Sequence, residues 1–140
     1  MDPEKQKNID TFLAQAVLGR LATVSPSGQP HVVPVWFLWE AGAAWVSSYR
    51  TTRKIRDLQS NQKCALVVDL KTAKHGITAV LLEGEVELFP VSEPKIREKV
   101  ERLYLKYLGP KRILGREPQE WLKSPDNLLI KLTPKRVMSW

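Results

Sequence analysis

The sequence has a single cysteine, Cys64, and two histidines, His31 and His75, in 140 residues. One thiol excludes an intramolecular disulfide framework. Neither histidine stands at a zinc-ligand spacing from Cys64 or from a pair of carboxylates, so the pattern offers no metal site. The phosphate-cradling loops G-x-x-x-x-G-K-[ST] and G-x-G-x-x-G are missing, as is the G-x-S-x-G nucleophile elbow. No apolar run approaches the ~20 residues that span a bilayer. The opening MDPEKQKNID mixes both signs of charge and has no apolar segment of the secretory kind. The expectation is a cytoplasmic protein with no membrane partner. Acidic residues are the scarcer charge, 15 against 22 Lys and Arg, for a formal net charge of +7. That balance favours an anionic partner, whether nucleic acid, an anionic membrane surface or a phosphorylated small molecule.

What is present suits one domain over residues 1–140, with 43% hydrophobic residues to build a core. Asp2-Pro3-Glu4 reads as a helix start. Ile9, Phe12, Leu13, Ala16 and Val17 continue it at helical spacing as far as Gly19. RLATVS, QPHVVPVWFLWE and AAWVSSY follow, separated by turn signals, and read as an antiparallel meander. Pro34 has no ladder donor and marks an edge or a bulge. KCALVVDL is a short buried strand with KTAKHG as its turn. In GITAVLLEGEVELF, Glu83, Glu85 and Glu87 alternate with Leu82, Val86 and Leu88. Ser92-Glu93-Pro94 starts a second helix with Ile96, Val100, Leu103, Tyr104 and Tyr107 as its buried stripe, stopped by Gly109-Pro110. NLLIKLT and RVMSW are closing strands, and KRILGREPQEWLKSP between them and the helix is left unassigned. Six or seven strands with two flanking helices predict the α+β class, a small β-barrel with helices packed outside.

Few side chains stand out as chemical. Three glutamates on one strand face are ordinarily a solvated face, and a cysteine in an apolar strand is ordinarily a buried, inert thiol. Trp45 falls in a strand as a core residue. Trp36 and Trp39 lie three apart in one run and so point to opposite faces, one of them free to meet a ligand or a partner. Nucleic-acid binding would interleave aromatics with cations on an exposed sheet. Tyr49 beside Arg50 is the one close instance, so a nucleic-acid partner is not expected.

The stretch SSYRTTRKIRDL at 47–58 gathers Arg50, Arg53, Lys54 and Arg56 where a strand passes into a helix. If Thr51 or Thr52 caps that helix, its first-turn N–H groups point outward. Cations at a helix N-terminus oppose its dipole, at a cost of a few tenths to ~1 kcal/mol each. An anion accepting from the backbone amides, the hydroxyls and both side chains would reverse that penalty. Locally, a phosphate pocket and a solvated helix face fit the cluster equally well.

The order of RLATVSPSGQPHVVPVWFLW, AAWVSSYRTTRKIRDLQSNQKCALVVD and VLLEGEVEL resembles the pyridoxamine 5′-phosphate oxidase-like split β-barrel superfamily, in particular its small flavin- or deazaflavin-dependent branch. The resemblance is strong over roughly positions 9–89 and looser beyond. It implies a homodimer with two cofactor sites at the subunit interface. It places Val33, Pro34, Val35 and Trp36 along an isoalloxazine-type ring, and Ser47, Ser48, Thr52, Arg53 and Lys54 around the cofactor phosphate. The implied cofactor is FMN or the deazaflavin coenzyme F-420. TVSPSGQPHVVPVWF and TTRKIRDL incline the resemblance toward the deazaflavin, whose extended anionic tail suits a basic protein.

The implied activity is hydride transfer to or from a small organic substrate, with the redox chemistry carried by the cofactor and no side chain nominated as acid or base. The ending KRVMSW lacks the Arg-containing tail of pyridoxamine phosphate oxidases proper, so vitamin B6 oxidation is not expected. A non-catalytic flavin- or haem-binding carrier or sensor is the alternative.

Overall fold

The Asp2 carboxylate accepts a hydrogen bond from the Lys5 amide at 2.8 Å, and Pro3 takes the first helical position. Together they start α1, Pro3–Leu13, as the sequence pattern predicts. The computed structural model describes residues 1–140. After α1 come β1 (Gly19–Val24), β2 (Pro30–Val35), β3 (Leu38–Glu40), β4 (Ala43–Tyr49) and α2 (Arg53–Ser60). Then follow β5 (Lys63–Lys74), β6 (Ile77–Pro90), α3 (Pro94–Arg112), α4 (Arg116–Lys123) and β7 (Asn127–Ser139).

All strands join one antiparallel sheet in the order β2-β1-β5-β6-β7-β4-β3. β2 and β3 stand at opposite ends of that order, yet only Trp36 and Phe37 lie between them in the chain. A flat seven-stranded sheet would hold its outer strands about 29 Å apart. Three backbone steps reach at most about 11 Å. The sheet must therefore roll until its two edges nearly meet. β2 and β3 share no ladder, so the roll stays open along one seam: a split β-barrel.

The interior is filled by the inward face of each strand, with Leu21, Leu66, Val68, Leu82 and Ile130 almost fully buried. Ile9, Phe12 and Leu13 of α1 and Ile55 and Leu58 of α2 join the same cluster. Each such side chain contributes about 1.5–3 kcal/mol of transfer free energy. A second cluster lies where α3 and α4 pack over β4 and β7, with Trp45, Val100, Leu103, Tyr104 and Leu129 at its centre.

Several expectations are corrected. α1 ends at Leu13, not near Gly19, which is the first residue of β1. Lys106 takes the Leu13 carbonyl that further helix would have used, and Tyr107 takes that of Val17. β1 to β4 do not form a meander: β1–β2 and β3–β4 are separate hairpins at the two sheet edges. The second run is broken at Trp36-Phe37, so Trp36 and Trp39 do not share a strand.

β5 continues to Lys74, leaving only His75-Gly76 as the turn, with φ of 51° and 76°. The ladder with β6 is irregular here, running from the Asp69 and Ala79 pair to the Lys74 and Ile77 pair across a register shift, and the side chains of this arm are largely exposed. NLLIKLT and RVMSW are one strand, because Pro134 sits opposite Gly84 at a bulge and interrupts the ladder without ending it. Gly109, at φ 80° and ψ 173°, breaks the helical run as the pattern predicts: the helix from Pro94 stops there, a further short turn from Pro110 completes α3, and the unassigned segment contains α4.

Pro34 behaves as read. It pairs with Arg20 on β2, which has no neighbour on its other side. Cys64 is buried in β5, and burial pushes its thiol up to about 12, which leaves it unreactive. The three glutamates of β6 face outward, where Glu85 and Glu83 pair loosely with Lys135 and Arg136. No helix is long and apolar enough to cross a membrane.

β3, only three residues long, is held to α3 by charge. Glu40 accepts from Lys99 Nζ at 2.8 Å and from the Arg102 guanidinium at 2.7 and 2.9 Å. The Arg102 hydrogen bonds, with Lys99 adding to them, outweigh partial burial and hold the carboxyl down at about 2. A depressed carboxylate contributes stability that is complete above its unfolded value and is lost as pH falls toward the folded one. The stability gap between the parent and Glu40→Gln should therefore close as pH is lowered from about 4.5 to about 2. Solvent reaches this group, so the gap at neutral pH should be about 1 kcal/mol or less. Urea unfolding at a series of pH values measures it.

Candidate functional site

The seam leaves a cavity of about 320 Å³ lined by Leu18, Pro34, Val35, Trp36, Ser47 and Lys54. Each wall has a local cause. Pro34 stands on the unpaired side of an edge strand, Val35 and Trp36 lie where the chain leaves β2, and Ser47 projects from β4. Lys54 comes from the first turn of α2, which packs against β1.

A second cavity of about 230 Å³ adjoins it, lined by Trp36, Ser47, Ser48, Tyr49, Tyr104, Trp121 and Asn127. The two share Trp36 and Ser47. Three of its four aromatic residues meet edge to face: Tyr104 is T-shaped to Trp121 at 5.5 Å and to Trp36 at 6.4 Å, and Trp36 to Trp121 at 6.5 Å. A larger groove of about 560 Å³ runs between α3 and α4. Leu105 and Leu114 on its walls are exposed, and no residue nominated from the sequence reaches it, so we do not place the site there.

Lys54 carries the electrostatics. Its side chain is half-buried, no carboxylate lies within ion-pair distance, and burial lowers its pKa. A desolvated cation without a partner attracts an anion more strongly than a solvated one. No acidic residue occupies the first turn of α2, and Thr52 at the N-cap position makes no side-chain cap. The Thr52 hydroxyl instead donates to the Tyr49 carbonyl at 2.8 Å. The Ser48 hydroxyl, 2.9 Å away, must then be the donor to Thr52. The first-turn amides of α2 thus keep their donors without a side-chain acceptor.

The structure separates residues that the sequence groups. Pro34, Val35, Trp36, Ser47 and Lys54 meet around one cavity, and Ser48 lies in the next. Thr52 braces Ser48 from behind. Val33 is packed against the barrel core and lines neither cavity. Arg53 turns away, its Nε 3.9 Å from buried Asp57, whose carboxylate accepts from Thr23 Oγ at 2.8 Å.

Tyr104, Trp121 and Asn127 were not nominated. Tyr104 exchanges a hydrogen bond with Ser47 at 3.1 Å and accepts one from Asn127 Nδ2 at 3.0 Å, and burial raises its phenol pKa. Asn127 Oδ1 is buried with no partner. The periodicity of α3 marks Tyr104 as inward-facing but cannot say what it faces. Chemically, the pair of cavities can hold an anionic group at Lys54, a flat group against Pro34–Trp36, and a second small apolar molecule among the rings.

The sequence model of pyridoxamine 5′-phosphate oxidase matches residues 6–140. A 5a,11a-dehydrotetracycline/5a,11a-dehydrooxytetracycline reductase of Streptomyces rimosus is 35% identical over 94 residues, 63% of this chain and 66% of that protein. The match therefore spans just under two thirds of the relative's length. A solved F420 reductase superposes with a TM-score of 0.73 at 25% identity, covering 92% of this chain and 94% of the other. The haem storage protein HutZ of Vibrio cholerae reaches 0.74 at 17% identity, over 99% and 95% of the two chains, a likeness of fold alone.

Proposed function

Because the chain belongs to the pyridoxamine 5′-phosphate oxidase family, we propose that it is an oxidoreductase holding FMN or the deazaflavin coenzyme F-420 in its seam. It transfers hydride to or from a small organic substrate. The observation that carries this reading is Lys54, a half-buried ammonium without a counter-ion, in the same cavity as the flat wall Pro34–Val35–Trp36.

A phosphate fits there: Lys54 and the uncapped amides of α2 supply donors, and the Ser47 hydroxyl supplies one more. When bound, the cofactor supplies the hydride chemistry. The protein's own part is to bind and to exclude water. Lys54 anchors the anionic end, and Pro34 to Trp36 present an apolar surface to a ring. The cage of Trp36, Tyr104 and Trp121 receives the substrate beside it. Burial keeps the Tyr104 phenol protonated through neutral pH, so the cage stays uncharged.

The net charge of +7 favours the deazaflavin with its longer anionic tail, and the likeness to an F420 reductase points the same way, while the likeness to a dehydrotetracycline reductase supports reduction of an organic substrate. A haem carrier is less well supported, since no histidine lines either cavity.

The dimer belongs to the same proposal. β2 has an unpaired edge, and Val32 and Leu18 beside the cavity are 63% and 49% exposed. A two-fold partner laid over this edge would close the cavity. The test combines light scattering with the absorption spectrum and mass spectrum of whatever heat releases, followed by titration with FMN and with the deazaflavin. A dimer with a flavin-type spectrum, or one that takes up either cofactor and turns over once a donor is added, is expected. A monomer that binds neither, or a haem spectrum, overturns the reading.

A further inference from the structure

One turn of α3 reaches the seam from outside. Lys106 Nζ donates to the Leu13 carbonyl at 3.1 Å and to the Phe37 carbonyl at 2.9 Å, and lies 4.0 Å from the centroid of the Phe37 ring. Leu13 ends α1, so the ammonium also meets the negative end of that helix. Tyr107 works on the same backbone: its hydroxyl accepts from the Phe37 amide at 3.1 Å and donates to the Val17 carbonyl at 2.8 Å. Its ring lies flat on Trp36, with centroids 5.0 Å apart and planes 5° apart. Trp36 and Phe37 are the two residues between β2 and β3, where no ladder serves the backbone. These two side chains replace it.

We propose that Lys106 and Tyr107 are positioning residues for the seam site: they fix the Trp36–Phe37 break, and through it the indole that forms the wall shared by the two cavities. Its consequence for cofactor binding rests on the reading of the seam as the cofactor site.

The device is sensitive to pH. Burial lowers the Lys106 ammonium to about 8. The groups around it are the Leu13 carbonyl from α1, the Phe37 carbonyl and ring from the break, and Tyr107, whose phenol burial pushes up to about 12. Asp10, in the last turn of α1, is taken by Trp39 and Gln6, and Arg102, one turn earlier on α3, is bound to Glu40. Lys106 changes charge near pH 8, and as it does its hold on the two carbonyls weakens. Lys54 is also a partly buried lysine on the cavity, so the test must separate the two.

The five tryptophans are labelled as 5-fluorotryptophan and followed by ¹⁹F NMR, with the Trp36 signal assigned by Trp36→Phe. In the parent, that signal should shift with a midpoint near pH 8. Lys106→Arg should hold the low-pH position without the shift, Lys106→Met should be displaced at every pH, and Tyr107→Phe should broaden the signal. At pH 7, Lys106→Met and Tyr107→Phe should each lose about tenfold in cofactor affinity, and Lys106→Arg no more than about twofold.

A shift that persists in Lys106→Arg belongs to another group and overturns the proposal. So does an unmoved Trp36 signal in folded Tyr107→Phe, and both variants remain decisive if Lys106→Met does not fold. If the parent binds neither FMN nor the deazaflavin, the cofactor reading fails, while the NMR signal still decides whether Lys106 and Tyr107 position Trp36.

Discussion

Lys54→Ala is expected to weaken binding of FMN and of the deazaflavin by about tenfold to a hundredfold, because a hydrogen bond to a charged group is worth roughly 1.5–3 kcal/mol. The fold should not suffer. The protonated lysine is a desolvated cation without a partner, and its lowered pKa means that the charge costs stability in the folded state. Thermal stability without cofactor should be unchanged or slightly raised. Arg53→Ala should affect binding less, since Arg53 faces Asp57 rather than the cavity. Arg56→Ala, exposed on another azimuth of α2, is the control. Fluorescence titration of the double variant Arg53→Ala with Lys54→Ala should find a loss little larger than that of Lys54→Ala alone. If that variant binds as tightly as the parent, the basic cluster is a solvated helix face and the phosphate lies elsewhere.

Gly84→Ala should be the most damaging small substitution in the barrel. A Cβ at this position would stand 2.2 Å from the Thr133 carbonyl oxygen and 3.0 Å from Pro134 Cα. Both obstacles are backbone, so neither can rotate aside. They belong to β7, which pairs with β6 on one side and with β4 on the other. Overpacking against side chains typically costs 1–3 kcal/mol, and a clash with paired backbone belongs at or above the top of that range. In a chain of this size the melting temperature should fall by roughly 10 °C. The loss should reach the site as well, because Ser47 and Ser48 on β4 pair with Leu129 and Leu128 of β7. A variant melting within a degree or two of the parent would mean that the bulge relaxes without moving β7.

The elements that depend on neighbours in sequence were legible in the sequence. Asp2-Pro3 starts a helix with its own atoms, alternation along 77–90 faces the glutamates outward, and Pro34 cannot donate to a ladder wherever it stands. Placing an anion site at 53–54 was a local inference of the same kind, resting on cations at a helix start without an acid. The order of these elements was also enough to identify the family. Three errors share a cause: α1 drawn too long, β7 split in two, and Trp36 and Trp39 put in one strand. In each, a backbone group is satisfied, or a ladder carried across a proline, by a part of the chain far away in sequence.

What the sequence by itself determined about this protein is therefore its family and most of its helices and strands, and it pointed to a cationic helix start as a candidate anion site. Only the tertiary structure decided which side chains meet there. Arg53 and Lys54 are adjacent and chemically alike. About 100° of helix rotation separates them, and the packing of Ile55 and Leu58 into the barrel turns one toward Asp57 and the other into the cavity. Tyr104, Trp121 and Asn127 join the site only because α3 and α4 lie over β4 and β7, and Lys106 and Tyr107 reach the seam across about 70 to 90 residues of sequence. Local preferences extend over one turn or one strand pair. The closing of the sheet, which brings β2 back to β3, is a property of the whole core, and the site exists where that closure stops short.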